Sequence, residues 1–156
     1  MIVIPNIVLD YGEIGFSFDL KNDIIVVNGD SGTGKSMFCD VLNNTRKMTA
    51  KNSLKDVVTV FNEDNPLEIG FLFRKKKHLF VIDNADILLT DEIVDHIAYD
   101  INNQYLIFAR GPWCFQITPN CFAEVIFNDG LKKYELKYFK IPGWKKFLVS
   151  NIIQLA

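Results

Sequence analysis

Alternating apolar and polar positions predict strands near both ends of the chain. Between residues 14 and 20, apolar side chains alternate with small or polar ones, which is the period of a strand with one buried face. A turn signal ending in Gly12 separates this segment from the apolar run 2–9, so the two predict an N-terminal hairpin. A C-terminal hairpin is predicted between segments 125–127 and 134–139. The turn between them reads Asn128-Asp129-Gly130.

The middle of the chain predicts strands that alternate with helices. Residues 24–27 are four consecutive β-branched side chains, the pattern of a strand covered on both faces. No proline or glycine interrupts 35–48, which is predicted as a helix, and isoleucines at four-residue spacing predict another helix over 91–101. Further strands are predicted at 57–61, 79–82, 105–108 and 123–127. Strands separated by helices imply a parallel sheet. The predicted fold class is therefore α/β, a three-layer, doubly wound, mostly parallel sheet with antiparallel hairpins at its N- and C-terminal ends.

Length and composition predict one compact domain over 1–156, with about 122–156 as a C-terminal hairpin appendage. The chain has 156 residues, of which 49% are hydrophobic and 23% are charged. No apolar run approaches the roughly 20 residues of a membrane span, and the first residues lack the features of a signal peptide. The three cysteines include no CxxC pair, which favours a reducing compartment. A cytoplasmic protein with no membrane association is expected.

One eight-residue segment carries the candidate chemistry. It reads Gly29-Asp30-Ser31-Gly32-Thr33-Gly34-Lys35-Ser36 and fits G-x-x-x-x-G-K-[ST] at every fixed position. The segment follows the predicted strand 24–27 and opens the predicted helix 35–48, so backbone N–H groups and the helix N-terminus can bind phosphate oxygens. The Lys35 ammonium is predicted to reach the β- and γ-phosphates, and the Ser36 hydroxyl to be a ligand of Mg²⁺.

These residues resemble the P-loop NTPases, and the resemblance covers most of 24–110. Such proteins have a second motif, a hydrophobic strand that ends in Asp, which Leu79-Phe80-Val81-Ile82-Asp83 matches. The resemblance implies the P-loop NTPase fold and an Mg²⁺ held by Asp83 opposite Ser36. The strands before the motif, and the tract 81–86 followed by a helix and a strand, look like the ABC, AAA and RecA-like ATPases. No N-K-x-D tetrapeptide that reads guanine is present, so ATP is expected rather than GTP.

Asn84 departs from the pattern of the resembled ATPases. ABC and AAA ATPases usually carry Glu directly after the Asp of the second motif, and asparagine cannot accept a proton as a carboxylate does. Two carboxylates are candidates for the base. Glu63 follows a predicted strand and is similar in placement to the RecA-like catalytic Glu, and Asp86 follows Asp83 by three positions. Arg110, after the strand 105–108, is a candidate for sensing the γ-phosphate. An ordinary solvated role is the alternative for each of these three side chains.

The lysines late in the chain are interleaved with Tyr138 and Trp144, a pattern that can bind a nucleic-acid backbone. They are Lys132, Lys133, Lys137, Lys140, Lys145 and Lys146. The net charge is −2, and a solvated lysine-rich edge is the favoured interpretation, so a nucleic-acid partner is not favoured.

Three functions are open at this stage. The leading hypothesis is a Mg²⁺-dependent ATPase that couples nucleotide binding or hydrolysis to a partner, or to self-association that completes the site. The second is a nucleotide-gated binding module with little or no hydrolysis, favoured by Asn84. The third is a small-molecule phosphotransferase, for which the sequence shows no acceptor-binding signature.

Overall fold

The computed structural model describes residues 1–28, 34–48, 56–110 and 121–139. The strands in these ranges are β1 Asn6–Tyr11, β2 Ile14–Asp19, β3 Ile24–Asn28, β4 Val58–Phe61, β5 Leu79–Ile82, β6 Gln104–Ala109, β7 Phe122–Asn128 and β8 Lys133–Tyr138. The helices are α1 Lys35–Met48, α2 Ile69–Arg74, α3 Ala85–Leu88 and α4 Asp91–Tyr99. None of the helices in the described part of the chain is long and apolar enough to cross a membrane.

The local elements predicted from the sequence are confirmed, with bounds that shift by a few residues. The N-terminal hairpin is β1 and β2, and the C-terminal hairpin is β7 and β8, both antiparallel. The predicted helices correspond to α1 and α4, whereas α2 and α3 were not predicted. Residues 122–139 of the predicted C-terminal appendage form two strands of the sheet, and 140–156 lie outside the described residues.

The predicted doubly wound, mostly parallel three-layer sheet, which the resemblance implied as the P-loop NTPase fold, is wrong. The described strands form a single mixed sheet in the order β1-β2-β8-β7-β3-β6-β5-β4, strongly curled into a half-barrel. Neighbours pair in parallel from β7 through β3, β6 and β5 to β4, and β2 also pairs in parallel with β8. The two hairpins therefore supply half of the strands and continue the sheet instead of flanking it.

The burial pattern of the hairpin strands explains this difference. A doubly wound sheet needs strands covered on both faces, and β3, β5 and β6 meet that condition along nearly their whole length. In β1, Ile7 and Leu9 are buried, whereas Asn6, Val8 and Asp10 on the opposite face are exposed, so this strand buries one face only. The sheet can therefore extend through the hairpins without a helix layer on their second face.

Two hydrophobic cores lie against the sheet. The first lies under α1 and joins it to β2 and β6 through Phe16, Phe18, Phe38 and Phe108. The second contains α2, α3 and α4 packed against the central strands, with Phe61, Phe80, Ile93, Ile97 and Tyr105 buried. Alternate residues of β3 contribute to the two cores, as the two-residue period of a strand requires. Strands β3, β5 and β6 are thereby packed on both faces, which positions the residues that follow them.

Candidate functional site

The carboxyl ends of three parallel strands bring the candidate site residues to one edge of the sheet. β3 and β5 both pair in parallel with β6, so their carboxyl ends point the same way. Asp83 directly follows β5, Arg110 directly follows β6, and Lys35 is the first residue of α1, the helix after β3. These residues are far apart in the chain, and the parallel pairing brings them together.

A cavity of about 30 Å³ lies at this edge. Its lining consists of Lys35, Asp83, Asn84, Asp86, Phe108, Ala109 and Arg110. It has room for about two water molecules, whereas a pocket for a whole small-molecule ligand needs roughly 300 Å³ or more. The described cavity is therefore too small for such a ligand, and its lining combines cationic and anionic side chains.

The backbone before α1 requires glycine at position 34. Gly34 has a φ of +87°, in the left-handed region, and a Cβ built on it would lie 2.9 Å from a ring carbon of Tyr134. The Tyr134 ring is stacked on Phe16, with centroids 5.2 Å apart, so it is held in place by the first core. The Gly34 carbonyl accepts a hydrogen bond from the Phe38 N–H at 2.9 Å, which closes the first turn of α1. Lys35 is thereby fixed at the positive end of the helix.

The pKa of the Asp83 carboxyl depends on its burial and on several charged neighbours at this edge. Burial raises the pKa of its carboxyl above the ordinary value. The negative charges of Asp40 and Glu63 raise this pKa further. A hydrogen bond from the Asn84 N–H, 3.0 Å long, and the positive charge of Lys35 lower the pKa without cancelling the effect of burial. The ionised form of Asp83 is therefore disfavoured mainly because the carboxyl is partly buried.

Asn84 connects Glu63 to the cavity. The backbone of Asn84 is left-handed, with φ 53° and ψ 51°, and asparagine tolerates this region better than most residues. Its Nδ2 donates a hydrogen bond to Glu63 Oε1 at 3.3 Å. Asn84 lines the cavity, and the exposed Glu63 lies behind it at the carboxyl end of β4. Position 84 thus carries an amide where the resembled ATPases have a glutamate, and this amide donates a hydrogen bond to Glu63, which follows the neighbouring strand β4.

Asp86 and Arg110 are joined by a backbone contact. The Arg110 N–H donates to Asp86 Oδ2 at 2.9 Å, which ties the end of β6 to α3. Both residues line the cavity. Since one carboxylate oxygen of Asp86 accepts this hydrogen bond, Asp86 positions the backbone of Arg110.

Part of the predicted site lies outside the described residues. Residues 29–33 of the glycine-rich segment are among them, and the side chain of Ser36 is not described. Within the described ranges, no group of three or more His, Cys, Asp or Glu side chains is arranged to hold a metal ion. The Mg²⁺ site of Ser36 and Asp83 therefore stays a prediction.

No family model, curated protein or solved structure matches this chain. The interpretation of the site rests on its own residues. The described part of the chain brings Lys35, Asp83, Asp86 and Arg110 to one cavity, and Glu63 reaches it through Asn84.

Two neighbours of Asp83 on α1 were not predicted as part of the site. The charges of Asp40 and Asp83 both raise the pKa of the Cys39 thiol, after burial as the main cause. Cys39 itself is buried, as its interpretation as a small hydrophobic residue predicts. Asp40 is five positions from Lys35 in the same helix, and no motif marks it.

Proposed function

We propose that this chain binds ATP with Mg²⁺ at the edge formed by β3, β5 and β6, and that it is an ATPase coupled to a partner. One observation carries the proposal: Lys35, Asp83 and Arg110 line the same cavity although 75 positions separate the first from the last. Parallel pairing brings any residues that follow these strands to this edge, so the support comes from their types: an ammonium, a carboxylate and a guanidinium are groups that bind phosphate and Mg²⁺. The motif residues support nucleotide binding directly, independently of the fold class.

Each residue has a distinct role in this proposal. The Lys35 ammonium binds β- and γ-phosphate oxygens, together with backbone N–H groups of 29–34. Asp83 and the Ser36 hydroxyl would hold Mg²⁺, which would supply positive charge to neutralise the phosphates. Arg110 stabilises the negative charge that develops on the γ-phosphate oxygens during hydrolysis. Its backbone is held for this purpose by Asp86.

We also propose a cytoplasmic location. Cys39 is buried as a free thiol, which suits a reducing compartment.

Calorimetry with ATP, ADP and GTP in the presence of Mg²⁺, with phosphate release followed in the same samples, tests the proposed function. We expect ATP to bind and to release phosphate over many turnovers. Absence of heat and of protection against thermal unfolding with every nucleotide would overturn the proposal, because a ligand that binds the folded state must stabilise it.

The substitution Asp83→Asn is expected to stabilise the ligand-free protein and to weaken Mg²⁺-dependent binding of ATP. The pKa of the Asp83 carboxyl is higher in the folded state than its ordinary value of 3.8. The protonated carboxyl therefore contributes stability at pH values below 3.8, and this contribution is lost as the pH rises through the raised pKa. At about pH 7 the ionised carboxylate therefore destabilises the ligand-free protein. The asparagine variant is expected to have a higher unfolding midpoint than the parent at about pH 7, and this difference should disappear at about pH 3.

The same variant is expected to lose the Mg²⁺-dependent part of ATP affinity, by about tenfold or more. Asparagine keeps an oxygen that can accept the Asn84 N–H, so the loop geometry is preserved. Thermal unfolding against pH and calorimetry with and without Mg²⁺ are the measurements. Asp64→Asn removes an exposed carboxylate from the loop after β4 and serves as the control. Equal Mg²⁺ dependence in Asp83→Asn and the parent would contradict the metal-binding role of Asp83.

Asn84 favours a second candidate function, a nucleotide-gated binding module with little or no hydrolysis. The side chain that follows Asp83 cannot accept a proton from water, and the nearby carboxylate of Glu63 is engaged by the Asn84 amide. In this alternative the bound ATP sets a conformation that a partner recognises, and Lys35 and Asp83 keep their binding roles.

The substitution Glu63→Gln distinguishes the ATPase from the module. Glutamine keeps an oxygen that can accept the Asn84 amide hydrogen, so we expect ATP binding to be unchanged. If Glu63 is the general base, steady-state phosphate release should fall by roughly a hundredfold or more. Asp86→Asn tests the other carboxylate, and Glu13→Gln, in the exposed turn between β1 and β2, is the control. A rate that neither Glu63→Gln nor Asp86→Asn alters would exclude both carboxylates as the base and favour the module.

A further inference from the structure

A groove of about 400 Å³ lies at the end of β6 opposite the candidate nucleotide site. Its walls are α2 and α4, and it ends at the turn 100–102 that precedes β6. Ile69, Phe73, Tyr99 and Ile101 form its apolar surface, and Glu92 and Asp95 line it on the α4 side. None of these residues takes part in the proposed nucleotide binding.

The groove contains large apolar side chains that face solvent. Phe73 is 59%, Tyr99 is 84% and Ile101 is 78% exposed. The Phe73 ring meets the His96 ring edge to face, with centroids 4.5 Å apart, so the walls of the groove touch at this point. Three such side chains around one concavity are typical of an interaction surface, whereas a single exposed apolar residue is not informative.

The base of the groove is held by a buried polar network. The Asp100 carboxylate accepts hydrogen bonds from the Tyr105 hydroxyl at 2.6 Å, the Asn103 amide at 2.8 Å and the Asn102 N–H at 2.9 Å. The Asp100 side chain is 4% exposed. The turn that carries Ile101 is therefore fixed before any partner binds, which lowers the entropic cost of association.

Opposite charges flank the apolar centre of the groove. Residues 74–77, Arg-Lys-Lys-Lys, are exposed and begin directly after Phe73. Backbone contacts hold this basic run beside the turn before β6: the Lys77 N–H donates to the Asn102 carbonyl at 2.8 Å, and the Asn103 amide donates to the Lys75 carbonyl at 2.8 Å. The exposed acidic residues Asp91, Glu92 and Asp95 lie on α4, and the basic run directly follows α2, the other helix that lines the groove.

We propose that this groove is a two-fold interface in which a second copy of the chain is the partner. We call residues 73–77, the exposed residues of α4 and Ile101 together the groove face. In a two-fold dimer the same surface meets itself, so each basic run faces an acidic helix of the other copy. A surface with adjacent basic and acidic halves and an apolar centre is complementary to itself under this operation. The proposal does not depend on nucleotide binding.

One triple and one double substitution test the charge pairing. Arg74→Glu, Lys75→Glu and Lys76→Glu together leave only Lys77 basic, so both halves of the groove face become acidic, and Glu92→Lys with Asp95→Lys makes both halves basic. Each variant alone places like charges opposite each other in a homodimer. We expect the parent to sediment as a species of twice 17.9 kDa, and each variant to dimerise more than about tenfold less tightly.

Mixing the two variants is the decisive step. A predominantly acidic face and a predominantly basic face satisfy both halves of a two-fold interface, so the mixture is expected to form heterodimers at least as tight as the parent dimer. Recovery of the dimer also shows that both variants are folded. Glu13→Lys with Asp129→Lys makes the same change in net charge on exposed turns away from the groove face. This control keeps the parent face, which satisfies only one half of an interface with the acidic variant, so it should form no heterodimer tighter than its own homodimer.

Three results would overturn the proposal. The first is a parent protein that sediments as a monomer at about 100 μM. The second is a pair of variants that each dimerise as tightly as the parent, which would place the interface elsewhere. The third is loss of dimers in each variant without recovery on mixing, because two-fold pairing of this face requires recovery.

Discussion

Replacing Lys35 with alanine is expected to abolish ATP binding while leaving the fold intact. In the proposed complex the Lys35 ammonium contacts two phosphates, and each charge-assisted hydrogen bond contributes about 1.5–3 kcal/mol. Loss of both corresponds to a roughly hundredfold or larger increase in Kd. The ligand-free fold should be little affected, because Lys35 places a positive charge at the positive end of α1 and its loss removes that repulsion. The lost attraction to Asp83 acts in the opposite direction.

Calorimetry with Mg²⁺ and ATP measures the effect on binding, and chemical unfolding of the ligand-free variant measures the effect on the fold. Lys137→Ala removes an exposed lysine from β8 and is the matched control for the change in net charge. ATP binding by Lys35→Ala at the affinity of the parent would contradict the proposed function, because the remaining site residues would then account for all of the affinity.

The local elements could be predicted because each depends on a short stretch of sequence. The β-branched run of β3 is buried along its length, and the alternating pattern of β2 has one buried face, as the sequence predicted. The arrangement of the strands in the sheet depends on contacts between distant segments. The parallel pairing of β2 with β8 joins residues more than a hundred positions apart, and no local pattern encodes it. This pairing joins the two hairpins and makes the sheet mixed.

The candidate site was predictable as far as it depends on strand ends. Asp83 and Arg110 each follow a short apolar run, and the carboxyl ends of parallel strands lie at one edge of a sheet, so their proximity to Lys35 follows from the local pattern. The hydrogen bonds between side chains were not predictable in this way. Asn84 and Glu63 follow the adjacent strands β5 and β4, and the hydrogen bond between their side chains joins positions that are 21 apart in the chain.

Ile101, in the groove face, is a residue for which the sequence pattern predicts the wrong element. Residue 101 was predicted as part of a helix because isoleucine recurs there at four-residue spacing, yet α4 ends at Tyr99 and Ile101 is 78% exposed. The buried Asp100 accepts three hydrogen bonds from the turn and from β6, and these contacts end the helix two residues early. A charged residue within a stretch of helical apolar spacing can therefore be buried and hydrogen-bonded to the strand that follows.

Replacing Phe38 with alanine is expected to destabilise the fold by about 3–5 kcal/mol, the cost of removing a large aromatic side chain from a packed core. Phe38 is fully buried on α1, and its ring centroid lies 4.4 Å from that of Phe18, 5.6 Å from Phe16 and 5.7 Å from Phe108. It thus joins the helix that begins at Lys35 to β2 and β6. Unfolding by urea measures the loss, and Tyr11→Ala, which removes a 60% exposed ring from β1, should cost much less.

The Phe38 and Lys35 variants are expected to respond to ATP in opposite ways. Nucleotide that binds only the folded state adds about 2.7 kcal/mol of stability at a hundred times its Kd. In Phe38→Ala the residues that line the cavity are retained, so saturating Mg²⁺ and ATP should restore a large part of the lost stability. In Lys35→Ala the ligand-free protein should be as stable as the parent, and ATP should add nothing. If ATP failed to stabilise Phe38→Ala under conditions where the variant is folded, the first core and the nucleotide site would be coupled through α1, and the separation of folding from binding would be wrong.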